Sequence, residues 1–278
     1  MLRGIYTAAS GLNAEMLEQD VVANNIANAD TVGFKKDTPV LAAFPNQLLD
    51  RIHDRMDAEG AQSVVALPAI VAENLPPQPL GFVGSGVTPQ GTVTEFTPGS
   101  LSRTDQPLDF AVEGPGLFTV QKGDGSVAYT RAGNFTLNGD KNLATADGDL
   151  VLGRDGQPLH IDGDKVTVDT GGMVTVDGDD VGTMRMAQYD PSRFSKVGDN
   201  LYARRADDFE GVDAANKADE TPPGVKVMQG YIEQSNVQVV TEMVHMISLM
   251  RSYEENTKAI TMQDETLSQL ITSVGTPA

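Results

Sequence analysis

Apolar residues recur every three or four positions at both ends of this chain, and this pattern limits the folds that the chain can adopt. Near the N-terminus the series is Ile5, Ala9, Leu12, Met16, Gln19, Ala23 and Ile26. Near the C-terminus it is Val239, Met243, Met246, Met250, Tyr253, Thr257, Ile260, Asp264, Leu267 and Ile271. Residues spaced in this way lie on one face of a helix. The sequence therefore predicts one long helix over about the first thirty residues and another over about 236–272.

The start and the length of the C-terminal helix carry further information. Ser235 and Gln238 form an S-x-x-Q capping box, and Asn236 is a competing cap. At about 1.5 Å per residue this helix would be roughly 50 Å long, which is longer than a domain of this size normally buries. It therefore needs a partner along much of its length, either the N-terminal helix in an intramolecular hairpin or the helices of other subunits.

The middle of the chain has the pattern of strands. Short β-rich runs such as "GTVTEFT", "LDFAVEG", "GLFTVQ" and "KVTVDT" alternate with turn clusters such as "GDGS", "NGD" and "DGDD". Nothing between the strands is long and periodic enough for a parallel βαβ unit. We expect an all-β domain with many hairpins, built as an irregular barrel or sandwich.

Repeated Asp-Gly pairs in this region have two possible interpretations. They occur at 147–149, 162–164 and 177–180. Calcium loops would need the EF-hand spacing with its closing glutamate, which these segments lack, so hairpin turns are favoured. We predict no bound metal and no cofactor.

These patterns divide the chain into four segments. Residues 1–36 hold the N-terminal helix and an Asn-rich segment, and 37–80 form a connector with a possible short helix at 46–56. Residues 81–224 form the β-domain and an acidic connector at its end, and 225–278 hold the C-terminal helix.

Charge and composition exclude several classes of function. The 20 basic and 39 acidic residues give a net charge of −19, which disfavours nucleic acid and anionic lipid as partners. There is no cysteine, so neither a disulfide nor a thiolate metal site can form. No apolar run approaches the roughly 20 residues of a membrane span, and no secretory signal is recognisable.

No catalytic constellation is evident. His53, His160 and His245 lie in three different segments, and no Gly-x-Ser-x-Gly, His-Glu-x-x-His or phosphate-loop motif is present. The abundant carboxylates alone do not indicate a paired-acid hydrolase. We predict that the chain is not an enzyme.

Four segments together carry a resemblance to a known family. "ANNIANADTVGFKK" near the N-terminus and "GYIEQSNVQVVTEMVHMISLMRSYEENTKAI" near the C-terminus occur together with "TPGSLSRTDQPLDFAVEGPGLFTVQ" and "YTRAGNF" between them. In this order they resemble the flagellar basal-body rod and hook family. Within it, "MLRGIYTAASGL" and "AFPNQLLDRI" look more like the proximal-rod type than the distal-rod type.

The resemblance implies an axial structural subunit of the flagellar basal body that helps to transmit torque to the hook. It implies export through the flagellar type III apparatus without a cleaved signal peptide. The implied partners are other rod and hook axial proteins and further copies of this chain, which pack through coiled-coil-like terminal helices, with no insertion into lipid. The alternatives are a distal-rod or hook-type subunit, or a secreted carbohydrate- or cell-wall-active enzyme.

In that setting the Asn-rich segment has a candidate role. Asn24, Asn25 and Asn28 each offer donors and an acceptor, and Gly33 permits a chain reversal. These residues would link the helix to the β-domain by bonding to neighbouring backbone. Lys35 and Lys36 could meet acidic groups on a neighbouring subunit. The alternative is a simple helix C-cap, which leaves Asn24 and Asn25 unexplained.

The predicted assembly interface combines this segment with the helical stripes. Met243, Met246 and Met250 are either ordinary core residues, which is the simpler interpretation, or a flexible surface for unlike neighbours. The interface residues are Ile5, Leu12, Met16, Asn24, Asn25, Ile26, Asn28, Gly33, Phe34, Asn236, Val239, Met243, Met246, Met250, Tyr253, Ile260 and Leu267.

Overall fold

A computed structural model describes residues 2–43, 86–163, 165–188, 190, 193–198, 200–204 and 224–275. The chain forms two compact units. Of the described residues, 2–23, 38–43, 86–93 and 241–275 belong to the terminal unit. The central unit contains residues 24–37 and the described residues between 94 and 240. The predicted short helix at 46–56, His53 and most of both connectors lie outside the described residues.

Both predicted long helices are present. Helix α1 spans Leu2–Ala27, and helix α2 spans Val239–Gly275. Helix α2 has 37 residues and is therefore about 55 Å long at 1.5 Å per residue. It begins three residues after the predicted start, and within that interval the side chain of Asn236 bonds to other segments of the central unit. No described helix combines the length and apolar content needed to cross a membrane.

The strands number seventeen among the described residues and are mostly short. The first two, β1 (Asp37–Ala43) and β2 (Val87–Thr94), pair with each other. The following ones are β3 (Leu101–Arg103), β4 (Phe110–Glu113), β5 (Gly116–Gln121), β6 (Val127–Thr130), β7 (Thr136–Leu137), β8 (Leu143–Ala144), β9 (Leu150–Val151) and β10 (Val166–Val168). The remainder are β11 (Met173–Val176), β12 (Asp179–Thr183), β13 (Met186–Gln188), β14 (Phe194–Gly198), β15 (Leu201–Arg204), β16 (Lys226–Gln229) and β17 (Tyr231–Glu233).

The central unit is built from open sheets. Its largest sheet has eight strands in the order β14-β15-β6-β5-β9-β8-β7, with β13 also paired to β5. Strands β10, β11 and β12 form a second sheet, and β16 and β17 pair with β4 and β3. Of the two predicted alternatives, barrel and sandwich, the barrel is wrong, because the described end strands β14 and β7 do not pair and closure requires a continuous register around the sheet.

Strand β5 carries the core on both of its faces. Phe118 packs with Phe135 at a ring-centroid distance of 5.1 Å in the larger cluster. Leu117, which points to the opposite face, packs in a second cluster with Tyr129 and Tyr202. Because successive residues of a strand point to opposite faces, this continuous apolar run fits a strand covered on both sides.

The hairpin interpretation of the Asp-Gly pairs is confirmed at Asp177-Gly178. These two residues connect β11 to β12, whose closing pair is Val176 and Asp179. Both have a positive φ, 53° for Asp177 and 104° for Gly178, as a tight two-residue hairpin turn requires.

Candidate functional site

The side chain of Glu233, at the end of β17, is the centre of a buried ionic cluster in the central unit. Its Oε1 accepts hydrogen bonds from Lys35 Nζ at 2.6 Å and from the Gly99 amide at 2.8 Å. Its Oε2 accepts a hydrogen bond from Arg131 Nε at 2.5 Å. The side chains of Lys35 and Glu233 are each 1% exposed. We call Lys35, Arg131 and Glu233, with the backbone that they bind, the joint.

Arg131 uses its remaining N–H groups on backbone carbonyls around strands β4 and β5. Its Nη2 donates to Val112 O at 2.5 Å, and its Nη1 donates to Gly114 O at 2.9 Å and to Gly116 O. The guanidinium therefore joins the carboxylate of Glu233 to the turn between two core strands. A buried ion pair is tolerable when further hydrogen bonds satisfy both partners in this way.

Lys35 is bound in a similar manner. In addition to Glu233, its Nζ donates to Thr97 O at 2.8 Å. The joint thus holds two cations and one carboxylate, and the carbonyl oxygens compensate for part of the excess positive charge. Lys35 was predicted to meet acidic groups on a neighbouring subunit; this is wrong, because its partner Glu233 belongs to the same chain and excludes solvent from it.

The pKa values of the two groups show how burial competes with pairing. Burial raises the pKa of Glu233, but the charges and hydrogen bonds of Arg131 and Lys35 outweigh it, so the pKa lies below its usual value. Burial lowers the pKa of Lys35, and Glu233 opposes this only in part. The carboxylate is therefore ionised at neutral pH.

Gly33 brings the segment after α1 into the joint. Its amide donates to the backbone carbonyl of Glu233 at 2.7 Å, and its φ is +68°. A Cβ at this position would lie 2.5 Å from both Ala132 N and Arg131 C. Only glycine meets both conditions, because L side chains rarely adopt this φ and real Cβ atoms do not approach backbone so closely. The predicted turn at Gly33 is confirmed.

Asn25 connects the last turn of α1 to the start of β1. Its Nδ2 donates to Asp37 O and its Oδ1 accepts from Asp37 N, both at 2.9 Å. The carboxylate of Asp37 accepts in turn from Thr94 Oγ1 at 2.6 Å and from Lys196 Nζ at 2.9 Å. Asn25 thus replaces a strand partner for Asp37 within its own chain, which a simple helix C-cap does not explain.

Asn236 performs a comparable role before helix α2. Its Oδ1 accepts from the Lys36 amide at 2.8 Å, and its Nδ2 donates to Glu95 O at 2.8 Å and to Thr97 Oγ1 at 2.9 Å. Lys36 Nζ lies 3.2 Å from the carboxylate of Glu95. The amide therefore holds the two segments that lead out of α1 and into α2 beside the same stretch of chain.

The other predicted asparagines have different surroundings. Asn28 Nδ2 donates to Asn24 O at 2.9 Å, one turn earlier in α1, and its Oδ1 accepts from Thr31 Oγ1 at 3.2 Å. The side chain of Asn24 is exposed. Phe34 is buried, and Lys196 Nζ lies 3.8 Å from the centroid of its ring.

None of the predicted stripe residues of the two helices belongs to the joint. On α1, the buried apolar residues are Ala14, Val21 and Val22, which face away from exposed Met16. Ile5, Leu12 and Ile26 of the predicted stripe are half-buried, as are Val239, Met246, Ile260 and Leu267 of α2, whereas Met243, Met250 and Tyr253 are exposed. Within the terminal unit, Asn256 Nδ2 donates to Glu15 Oε1 at 2.8 Å.

Sequence reasoning missed Arg131, Glu233, Lys196 and Asp37. A usable signal existed for two of them, because Glu233 is a lone charge among strand residues in "GYIEQSN" and Arg131 is a lone charge in "YTRAGNF". Both segments belong to the family resemblance. Charged residues are almost never fully buried unless paired, so Glu233 and Arg131 could each have been predicted to need a partner of opposite charge, although the sequence does not say which one.

Three family models match the chain, and each match contains one member of the joint. The model described as "Flagella basal body rod protein" covers residues 5–35 and includes Lys35. The model for the D1 domain of the flagellar hook protein FlgE/F/G covers residues 111–176 and includes Arg131. The C-terminal model of the flagellar basal body rod proteins FlgEFG covers residues 228–273 and includes Glu233.

Curated relatives match over almost the whole chain. The flagellar basal-body rod protein FlgG of Buchnera aphidicola is 31% identical over 97% of this chain and 99% of its own length. FlgG of Caulobacter vibrioides is 33% identical, with 96% and 97% covered. The flagellar hook-basal body complex protein FlhO of Bacillus subtilis is 32% identical, with 99% of each chain covered. The chain therefore belongs to the family of flagellar basal-body rod proteins, which are structural subunits of the basal body.

Proposed function

We propose that this chain polymerises through its terminal helices into the flagellar rod, and that the assembled rod transmits torque towards the hook. The observation that carries this proposal is the outward face of α2. Val240 and Val244 are 77% and 62% exposed, and Met243, Ile247 and Met250 continue the same apolar surface at spacings of three and four. We call these five residues the apolar stripe. Monomeric proteins rarely leave such a contiguous surface uncovered.

The terminal helices would pair in a coiled-coil-like way with those of neighbouring subunits. The three-and-four spacing of apolar residues on both helices supports this arrangement. The joint then has a mechanical role, because it ties the segments that continue into both helices to the core strands of the central unit. Load on either helix would pass through Glu233 and Arg131 to strands β4 and β5.

Export and location follow from the same proposal. The subunit would leave the cytoplasm through the flagellar type III apparatus without a cleaved signal and take its place in the basal body. Its neighbours would be further copies of this chain and other rod and hook axial proteins. The alternative of a secreted enzyme is set aside, because the relatives that cover the whole chain are rod and hook-basal body proteins.

Electron microscopy of basal bodies purified from an in-frame deletion strain tests this function. The strain is complemented with the full chain, with a chain that lacks residues 2–23, or with a full-length Gly139→Ala control, since Gly139 has open space around it. We expect rods only with the full chain and the control. The point at which the rod stops in the deletion strain distinguishes a proximal from a distal position. Complete, hook-bearing rods in the deletion strain would contradict the proposal.

A further inference from the structure

A cleft of about 450 Å³ opens in the central unit next to the joint. Its walls come from the last turn of α1, from the loop that follows it, and from three loops of the β-domain. The polar side chains that matter here are Asn24, Asp147, Lys196 and Asn200. The side chains of the joint do not line this cleft.

Among the described residues, the cleft presents a carboxylate without a cationic partner. Asn200 Nδ2 donates to Val32 O at 2.8 Å, and its Oδ1 is buried, so this amide is not available to a ligand. The carboxylate of Asp147 is exposed at a turn and forms no ion pair within the described part of the chain. The accessible acceptor of the cleft is therefore a carboxylate, which favours a positively charged ligand.

The positive charge in the cleft is already compensated. Lys196 Nζ lies 2.9 Å from the Asp37 carboxylate and donates to Lys35 O at 3.2 Å. Asp147 is thus the uncompensated charge among these side chains. The best ligand is therefore a donor-rich cation, and a planar guanidinium can bond both oxygens of a carboxylate at the same time.

Helix α2 carries a cation of this kind that pairs with none of the described residues. Arg251 is exposed and has no ion pair or hydrogen bond of its side chain to other described residues. It follows Met250 directly and lies one turn beyond Ile247, so it borders the apolar stripe. When a neighbour covers the stripe, the guanidinium loses water and needs acceptors, because an unpaired buried charge is strongly unfavourable.

We propose that Arg251 of one copy of this chain docks into the cleft of a second copy and donates hydrogen bonds to the carboxylate of Asp147. This inference rests on the proposed polymerisation and names one contact within it. The contact would fix the register in which neighbouring copies associate. Charge complementarity contributes mainly to specificity and register, and here it would act between strongly acidic subunits.

A charge exchange in the complemented deletion strain tests the contact. Asp147→Arg and Arg251→Asp are each expected to lower the amount of subunit in purified rods about tenfold, the effect of one lost pairing contact. Combining the two substitutions should restore incorporation. Lys258→Asp, two turns further along α2, and Asp140→Arg, on another exposed turn, are the matched controls and should not reduce it. Thermal melting of each purified chain checks that folding is unchanged.

Cross-linking gives a second measurement that does not depend on altered charge. The chain has no cysteine, so Asp147→Cys and Arg251→Cys introduce the only two thiols. An Asp–Arg pair keeps its Cβ atoms too far apart for a disulfide, so a short bismaleimide is the reagent. Rods should yield linked dimers, and the pair Asp140→Cys with Arg251→Cys should yield far fewer.

The two tests separate the contact from the function. Normal rods from both single charge variants, or rods of the cysteine pair that give no more linked dimer than the control pair, would overturn the docking of Arg251 while leaving the rod function intact. Absence of the full chain from purified rods would overturn both.

Discussion

Glu233 is the residue on which the joint depends, because its carboxylate serves both buried cations. Glu233→Gln keeps the size of the side chain but leaves Lys35 and Arg131 without a counter-charge. We expect the free energy of unfolding at pH 7 to fall by about 3–5 kcal/mol, the usual cost of removing one partner of a buried pair. Urea unfolding followed by circular dichroism measures it. Glu113→Gln, at an exposed position of β4, is the control, and an equal loss in both variants would contradict this role.

The effect of Glu233→Gln on the free energy of unfolding should also depend on pH. The folded-state pKa of Glu233 lies below its usual value, so its contribution is complete above the unfolded pKa of about 4.3 and is lost as pH falls through the folded pKa. The stability difference between the natural chain and Glu233→Gln should therefore shrink below about pH 4. Asp124 and Asp162 also have lowered pKa values, but they are common to both chains and cancel in this difference. A difference that stays constant down to pH 2.5 would contradict the assignment.

Gly33 allows a second test at the residue scale. Gly33→Ala places a methyl group against the backbone of Arg131 and Ala132 and forces alanine to a φ of +68°. We expect a loss of about 2 kcal/mol or more in the free energy of unfolding. Gly139→Ala, where no atom lies within 4 Å of the added group, should change stability far less. Similar melting temperatures for the two variants would show that the segment after α1 can rearrange.

The residues of the joint and of the segment around the end of α1 were only partly predictable from sequence. Gly33 and Asn25 stand in a turn-forming, amide-rich segment, so their roles follow from local chemistry. Glu233 and Arg131 are 102 residues apart, and no local pattern specifies which charges will meet. The partner of Lys35 was misjudged for the same reason.

At the level of elements, the apolar stripe of α2 has a consequence that stability measurements alone would not reveal. Val244→Lys adds charge at an exposed position, so we expect nearly unchanged thermal melting of the isolated chain but a severe loss of incorporation into rods. Gln269→Lys, exposed on the same helix, is the control for the added charge. If Val244→Lys lowers the melting temperature as much as it lowers incorporation, the stripe has a folding role instead.

Helices and strands were predicted well where their apolar pattern repeats over a long stretch of sequence. Helix α2 repeats its apolar pattern over many turns, so its existence was clear, and its start was displaced by only three residues. The sheets were harder, because strands such as β7, β8 and β9 have two residues each and carry no register information. Open sheets and a barrel therefore look alike in the sequence.

For the whole molecule, net charge governs how copies approach one another. At −19, two copies repel at long range, and raising salt from about 10 mM to 150 mM shortens the screening length from about 30 Å to about 8 Å. We expect self-association of the purified chain to increase over this range, as measured by sedimentation velocity. Dissociation on adding salt would show that ion pairs between subunits outweigh the general repulsion.

The joint also bears on how the chain completes its folding. Lys35 and Glu233 are separated by 198 positions, so their contact closes a loop that contains nearly all of the central unit. The entropic cost of closing this loop must be met before such a long-range contact adds stability. A copy truncated before residue 233 would have two cations at this position and no carboxylate between them. The joint can therefore close only in a chain that extends from Lys35 to Glu233, which ties its closure to synthesis of almost the whole central unit.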